Sequence, residues 1–422
     1  MQNVITVGLV LPELTRTVAE EHLEELVKLV ESAGGTVSVR ILAKRNAPDP
    51  ATYVGKGKAE EIQKLVAQHA ATLVVFDDDL SPAQVRNLEK IVGGETKVID
   101  RSALILDIFA SRARTREART QVELAQLEYM LPRLTRAWSH LERQAGGIGT
   151  RGVGETQLEL DRRIVRTRIA KLKDDLTKIE KTRETQRKSR GGAFTVALVG
   201  YTNAGKSTLF NRLTLGSVEA VDKLFATLDA KSQRIASEHE MPRETVIVDT
   251  VGFIRKLPHH LVASFRSTME EAVAADLVLH VIDASHAQFS EQREIGDAVL
   301  EDLGVDSANV IEVYNKSDRM DEHFDVSRRN TVVVSALTGA GIEKLVSMIR
   351  DRERERGETL HLSIPHGEAK LIAKLHELGE IHEQRATDDA TLLTAWIPRD
   401  ALHQFAAYVV KPAASEAKRR SA

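Results

Sequence analysis

The stretch TVALVGYTNAGKST, residues 195–208, decides the fold. Its first half has the composition of a buried strand, and its second half fits the pattern G-x-x-x-x-G-K-S with Gly200, Gly205, Lys206 and Ser207. In that pattern the glycines let backbone N–H groups wrap phosphates, the lysine reaches the β and γ phosphoryl oxygens, and the serine ligates magnesium. The residues TLFNRL that follow predict the required helix. The stretch therefore predicts a P-loop in an α/β domain.

A second motif, VIVDTVGF, ends an apolar strand with Asp249 and continues to Gly252. An aspartate at a strand end can hold a magnesium-bound water, and a glycine amide can sense a γ-phosphate. The pattern is weak alone but strong after a P-loop. Between the two motifs, Thr227 in LFATLD is the best-placed threonine to complete magnesium coordination, although its neighbours Phe225 and Leu228 are also compatible with a strand edge.

A third motif, VYNKSD, predicts which base is bound. Asn315, Lys316 and Asp318 follow another apolar strand. A carboxylate accepts two hydrogen bonds from the N1 and N2 edge of guanine, which adenine cannot offer, so Asp318 is expected to select guanine. Lys316 would lie along the base, and Ser335 with Ala336 would place a backbone amide at the guanine O6. The four fragments in this order predict a Ras-like G domain that binds GTP with magnesium and hydrolyses it.

The predicted nucleotide contacts include the motif positions and the residues beside them. They are Gly200, Tyr201, Thr202, Asn203, Ala204, Gly205, Lys206, Ser207, Thr208, Phe225, Ala226, Thr227, Leu228, Asp229, Asp249, Thr250, Val251, Gly252, Asn315, Lys316, Ser317, Asp318, Ser335, Ala336 and Leu337. The predicted catalytic residues are Lys206, Thr227 and Gly252. The predicted magnesium ligands are Ser207, Thr227 and, through water, Asp249.

The place after the second motif, where many GTPases carry a glutamine that orients the attacking water, is Phe253. A phenyl ring has no hydrogen-bonding group, so we expect slow intrinsic hydrolysis, with the water positioned by backbone, a monovalent cation or a partner. Asn203 is a candidate potassium ligand, because its amide oxygen lies in the P-loop near the phosphates. A role as a plain loop residue stays open for Asn203.

Composition limits the class of protein. A length of 422 residues predicts two to four domains, and 42% hydrophobic with 29% charged residues is ordinary for a globular protein. No apolar run approaches the roughly 18 residues that span a bilayer, and the start MQNVITVGLVLPEL lacks the features of a signal peptide. The absence of cysteine excludes disulfides, thiol catalysis and cysteine metal sites. These features favour the cytoplasm.

Hydrophobic periodicity divides the chain into five parts. Residues 1–105 alternate strand-like runs such as ITVGLVL and TLVVFD with helical stretches, which predicts a small α/β domain with a parallel sheet. Residues 106–190 predict long helices, and residues 191–356 form the G domain. Residues 357–412 predict strand, helix, two strands and a short helix, a small α+β module. Residues 413–422 are too polar to pack and are expected to be disordered.

Residues 106–190 are predicted to be a basic helical hairpin in the manner of a coiled coil. Apolar residues at intervals of three and four predict two helices paired antiparallel, with Pro132 kinking the first. Residues 111–190 carry 20 Lys and Arg against 11 Asp and Glu, a net charge of +9, so the rest of the chain carries −12. Such a charge indicates either a solvated helix surface or an anionic partner such as nucleic acid.

The loop between these helices, residues 143–157, has five glycines within nine residues. It is longer than a helical hairpin needs, and glycines allow close backbone approach while arginines meet phosphates. The candidate RNA contacts are Arg143, Gly147, Gly149, Arg151, Gly152 and Gly154.

The chain resembles the HflX family of GTPases over nearly its whole length. The resemblance is carried by YVGKGK, DRSALILDIFASRARTREARTQVELAQLEYMLPRL, GGIGTRGVGETQLELDRR, and FATLD followed by DTVGF. It implies a ribosome-associated GTPase whose N-terminal and helical regions engage the large subunit and its RNA close to the peptidyl transferase centre, splitting stalled or stressed ribosomes. A monomer that binds GTP or GDP is expected.

Two alternatives stay open. One is a GTPase switch that regulates a protein or metal-delivery partner instead of the ribosome. The other is an RNA-binding scaffold whose nucleotide site is structural.

Overall fold

A computed structural model describes residues 2–134, 157–189, 193–214, 224–225, 231–236, 245–256, 272–320 and 330–410, with side chains between 157 and 189 described for 159–182. The chain divides into two compact units. The first unit comprises Met1–Gln186, Val221–Asp229 and Val251–Met269. The second comprises Arg187–Ala220, Ala230–Thr250 and Glu270–Ala422.

The first unit is built on a four-stranded parallel sheet. Its strands are β1 (Asn3–Val10), β2 (Thr36–Lys44), β3 (Leu73–Phe76) and β4 (Lys97–Asp100), in the order β2-β1-β3-β4. Each strand is followed by a helix: α1 (Arg16–Ser32), α2 (Lys56–His69), α3 (Pro82–Val92) and α4 (Arg101–Arg112). Apolar side chains from the strands and from α2 and α3 form its core. The predicted parallel α/β domain is confirmed.

Side-chain caps fix where three of these helices begin. Thr15 accepts a hydrogen bond from the Val18 amide at the start of α1, and Asp100 accepts one from the Ala103 amide at the start of α4. Helix α3 begins with a capping box in which Ser81 and Gln84 exchange hydrogen bonds with each other's backbone N–H groups. Such caps satisfy N–H groups that have no partner inside the helix.

Helices α5 (Arg116–Met130) and α6 (Gln157–Ser189) carry the predicted apolar repeats. Glu123 contacts Arg168 at 2.6 Å, and Glu128 contacts Lys173 at 2.8 Å. Both ion pairs join residues 45 positions apart, so the two contacts advance in the same sense along α5 and α6. They show that the two helices touch, and the antiparallel pairing stays a prediction.

The regular helix is interrupted next to Pro132, where a kink was predicted. Helix α5 ends at Met130, and residues 131–134 form a turn that contains the proline. A proline lacks the backbone N–H that an interior helical position donates, which accounts for the interruption. Leu131 keeps helical dihedral angles, and the chain that would show a kink, after residue 134, lies outside the described residues.

The second unit contains a six-stranded sheet with the strands β5 (Phe194–Gly200), β6 (Lys231–Arg234), β7 (Thr245–Asp249), β8 (Leu277–Asp283), β9 (Val310–Asn315) and β10 (Thr331–Val333). Their order is β10-β9-β8-β5-β7-β6, and only the edge strand β6 is antiparallel to its neighbour. The helices in the described residues of this region are α7 (Lys206–Thr214), α8 (Phe289–Asp302) and α9 (Ile342–Arg354). The carboxyl ends of β5, β7 and β9 carry the sequence motifs, and ligands bind at that edge of an open α/β sheet.

The rest of the second unit is a small antiparallel module. It consists of β11 (Gly357–Pro365), α10 (Ala369–Leu378), β12 (Glu380–Ala386), β13 (Ala390–Pro398) and α11 (Leu402–Phe405), with the sheet order β11-β13-β12. Leu375 and Phe405 are fully buried in its core. This succession is the one predicted, so the α+β module is confirmed.

None of the helices in the described ranges has both the length and the apolar character that a membrane span requires.

Candidate nucleotide site

The P-loop connects β5 to α7 and depends on glycine at two positions. Gly200 has a φ of 143°, and a Cβ there would lie 2.1 Å from the carbonyl oxygen of Val281. Gly205 has a φ of 94°, and its Cβ would lie 2.2 Å from Nδ2 of Asn315. Any side chain at either position would clash with the adjacent strand or with a motif residue. The two glycines therefore let the loop backbone pack directly against β8 and against Asn315.

Lys206 is buried at the start of α7, with 6% of its surface exposed. Its Nζ donates to the carbonyl oxygens of Gly200 at 3.0 Å and Tyr201 at 2.8 Å. Burial lowers the pKa of Lys206 to about 8, with Asp249 acting to raise the pKa and Lys316 to lower it further. The loop thus holds an amine whose charged form a phosphate would favour.

Ser207 and Asp249 lie together below the loop. The hydroxyl of Ser207 donates to Oδ2 of Asp249 at 2.7 Å, and Asp249 is fully buried at the end of β7. A hydroxyl and a carboxylate are hard oxygen donors of the kind that magnesium prefers, and P-loop GTPases generally hold magnesium through these two positions. The donor set therefore fits magnesium.

Asn315 connects the P-loop to the loop after β10. Its Nδ2 donates to the Ala204 carbonyl at 2.9 Å, and its Oδ1 accepts from the Ala336 amide at 2.9 Å. The side chain is 2% exposed. Asn315 therefore joins the two loops, and it occupies the Ala336 amide that was predicted, with Ser335, to face the guanine O6.

Lys316 and Asp318 lie beside this junction. The hydroxyl of Ser335 donates a hydrogen bond to Oδ1 of Asp318. Nζ of Lys316 donates to Oδ2 of Asp283 at 2.7 Å. Asp283 was not among the site residues predicted from the sequence. A usable signal was present, because Asp283 ends the apolar strand LVLHVID at the same edge of the sheet as the motifs. The ion pair holds the lysine that was predicted to lie along the base.

The structure brings most of the predicted contacts into the second unit: 200–208, 249–250, 315–318 and 335–337. Phe225, Val251 and Gly252 are assigned to the first unit. Ala226, Thr227, Leu228 and Asp229 lie outside the described residues, as do the candidate RNA contacts Arg143, Gly147, Gly149, Arg151, Gly152 and Gly154.

Residues beside Thr227 and Gly252 contact the N-terminal α/β domain within the first unit. The ring of Phe225 packs edge-to-face on Phe109 with centroids 4.6 Å apart. Nζ of Lys256 donates to Asp77 at 2.7 Å and also contacts Asp78. The ring of Phe253 is 2% exposed, so it presents almost no surface to a water molecule.

Three family models match successive parts of the chain. One described as GTP-binding GTPase N-terminal matches residues 20–110, and one described as GTP-binding GTPase Middle Region matches residues 112–190. The third, described as 50S ribosome-binding GTPase, matches residues 195–316. The matches follow the order of the N-terminal sheet, the helical segment and the P-loop sheet.

Curated relatives match most of the length. A protein named GTPase HflX from Escherichia coli (strain K12) is 47% identical over 380 residues, which is 88% of each chain. One of the same name from Magnetococcus marinus is 44% identical over 391 residues, 90% of this chain and 89% of the relative. The crystal structure of SsGBP with GDP is 26% identical over 83% of this chain and 98% of that one, with a TM-score of 0.49. The two curated relatives, 47% and 44% identical over 88% and 90% of this chain, show that the chain belongs to the HflX family of GTPases: it binds GTP and hydrolyses it.

Proposed function

We propose that this GTPase acts on the large ribosomal subunit and splits stalled or stressed ribosomes. The observation that carries the proposal is that a P-loop domain matching a 50S ribosome-binding GTPase follows a helical segment of net charge +9 in one chain. Basic side chains gain affinity for RNA by neutralising phosphates. The glycine-rich residues between α5 and α6 suit close approach to folded RNA.

Within the nucleotide site, each motif residue has a distinct task. We assign Lys206 to the β and γ phosphates and Asp318 to the N1 and N2 edge of guanine. Magnesium, held by Ser207, by Thr227 and through water by Asp249, would neutralise negative charge on the phosphates. The Gly252 amide would sense the γ-phosphate. The buried Phe253 orients no water, so we expect slow turnover until a partner positions the nucleophile.

A potassium ion at Asn203 is proposed as part of this site. Asn203 is exposed in the P-loop and has a φ of 62°, a left-handed conformation that asparagine tolerates better than most residues. Its amide oxygen would hold the cation, whose charge would offset charge developing on the phosphates. Intrinsic hydrolysis should be faster in potassium than in sodium, and Asn203→Ala should remove the difference. Identical rates in the two salts would leave Asn203 a plain loop residue.

Co-sedimentation with ribosomes tests the main proposal. The chain should sediment with the large subunit most strongly with a non-hydrolysable GTP analogue, weakly with GDP, and should raise the free subunit fraction in a sucrose gradient. Lys206→Ala is the matched control, because it removes a phosphate contact while the RNA-facing surface stays unchanged.

Each alternative gives a different result. GTPase activity without co-sedimentation with ribosomes would favour a GTPase switch that regulates a protein or metal-delivery partner. Sedimentation without ribosome-stimulated turnover would favour an RNA-binding scaffold with a structural nucleotide site.

A further inference from the structure

An arginine outside the four motifs holds the loop after β10. Arg212 lies on α7, six residues after Lys206, and is exposed. Its Nε donates to the Ala336 carbonyl at 3.2 Å, and its Nη2 donates to the Leu337 carbonyl. One guanidinium therefore binds two successive peptide groups of the loop that follows Ser335. The planar fork of an arginine suits such a double contact.

This double contact determines the direction of a backbone N–H group. A trans peptide is planar and places its C=O and N–H on opposite sides, so holding the Ala336 carbonyl fixes the direction of the Leu337 N–H. The neighbouring Ala336 N–H already donates to Asn315. In the same way, the Leu337 carbonyl shares a peptide with the Thr338 N–H, which donates to the Ser335 hydroxyl at 3.1 Å.

The side chain of Leu337 contributes little to the position of its own peptide group. Leu337 is 66% exposed, so burial of its side chain cannot fix the backbone. The hydroxyl of Ser335 connects the loop to Asp318, and Arg212 connects it to α7. The loop is thus held by polar contacts to two elements that also carry nucleotide-site residues.

We propose that Arg212 is a positioning residue for guanine recognition, which orients the Leu337 amide toward the guanine O6 while Asp318 reads N1 and N2. The inference rests on the guanine site proposed above and replaces the Ala336 amide by the Leu337 amide as the O6 donor. It assigns Arg212 no contact with the nucleotide.

The test compares three nucleotides that differ at one base position. GTP presents O6 and the N2 amine, 6-thio-GTP replaces O6 by sulfur, a weak acceptor, and ITP lacks the N2 amine. Arg212→Ala should weaken GTP binding about twofold to tenfold, the usual range for losing one neutral hydrogen bond, here the bond from the Leu337 amide to O6. The ratio of GTP to 6-thio-GTP affinity should fall toward one, while the ratio of GTP to ITP affinity should stay at its parent value.

Three further variants separate the possible causes. Arg212→Lys, which keeps the charge but reaches only one carbonyl, should recover part of the 6-thio-GTP discrimination. Arg352→Ala removes an arginine whose guanidinium binds Asn330 at 2.6 Å rather than a motif residue, and it should leave both ratios unchanged. Asp318→Asn should lose the ITP discrimination, which tests the guanine site itself.

Two outcomes would overturn the role of Arg212. Equal weakening of all three nucleotides in Arg212→Ala would mean that the arginine only supports the fold. An unchanged GTP to 6-thio-GTP ratio would mean that the Leu337 amide does not read O6. Normal ITP discrimination in Asp318→Asn would instead contradict the guanine site, whatever the result for Arg212.

Discussion

At the scale of single residues, Lys206 combines burial with a charge. Lysine is almost never fully buried unless it is paired, yet Lys206 is 6% exposed and its Nζ donates to two neutral carbonyls. Burial accordingly lowers its pKa to about 8. A nucleotide brings phosphate charges beside this amine, which favours its protonated form and must raise its pKa in the complex.

GTP binding should therefore become linked to proton uptake at alkaline pH. Above pH 8 the free protein holds mostly neutral Lys206 while the complex holds the charged form, so binding takes up a proton and affinity falls as pH rises toward 10. Below about pH 7 both states are protonated and this dependence disappears. Calorimetry in buffers of different ionisation enthalpy measures the uptake. Lys206→Ala should abolish it, and a pH-independent affinity in the parent between pH 7 and 10 would contradict the linkage.

Short motifs predicted which residues meet at the carboxyl edge of the P-loop sheet, whereas several of the contacts among these residues were not predictable. A P-loop, an aspartate at a strand end and the motif VYNKSD can each be recognised because their residues lie close together in the sequence at fixed spacing. The hydrogen bond from Ala336 to Asn315 and that from Arg212 to Ala336 join residues that are 21 and 124 positions apart. No local pattern specifies which of several nearby amides a side chain will occupy, so this detail required the structure.

At the scale of elements, the pairing of α5 with α6 shows what periodicity specifies. The three-four spacing of leucine and isoleucine predicted both helices and a contact between them, because an amphipathic helix must bury its apolar stripe. Leu172 of α6 is 3% exposed and Leu124 of α5 is 4% exposed. Periodicity did not predict that the first helix would end before Pro132, since helix boundaries depend on local backbone geometry.

Charge reversal across this helix pair should test the contact. Arg168 and Glu123 are 46% and 41% exposed, so water screens their ion pair and its contribution to stability is small. Glu123→Lys and Arg168→Glu should each lower the free energy of unfolding slightly, and the double variant should recover most of the loss. Urea denaturation of the four proteins gives the coupling energy. Strictly additive losses would show that the two side chains do not interact in solution.

At the scale of the whole molecule, composition and motifs predicted the order of the domains along the chain. They did not predict that two segments of the predicted G domain belong to the first compact unit. Val221–Asp229 and Val251–Met269 follow the P-loop in sequence, yet both belong to the first unit. The contact from Lys256 to Asp77 joins residues 179 positions apart. Such a contact leaves no periodic signal, because each partner looks like an ordinary charged surface residue until the fold brings them together.

The last prediction concerns the loop between α5 and α6. Deleting residues 146–154 removes the glycine-rich stretch but keeps both apolar seams, so α5 and α6 should still pair, since a shorter connection of the same ends costs little entropy. GTP affinity should be unaltered, because the deletion leaves the P-loop, the VYNKSD motif and the loop after β10 in place. Arg143→Ala and Arg151→Ala should each reduce ribosome-stimulated hydrolysis and subunit splitting less than the deletion does. Each should also lower the salt dependence of ribosome binding.

Ribosome-stimulated hydrolysis and subunit splitting should both fall in the deletion variant. A partner accelerates turnover only through contacts that favour the reactive state, and the deletion removes the contacts proposed for the ribosomal RNA. Intrinsic GTPase activity and subunit release, measured on the same preparation, separate a loss of coupling from a loss of folding. If the variant splits ribosomes as fast as the parent, the basic helices act as a structural spacer and their charge serves only to keep them hydrated.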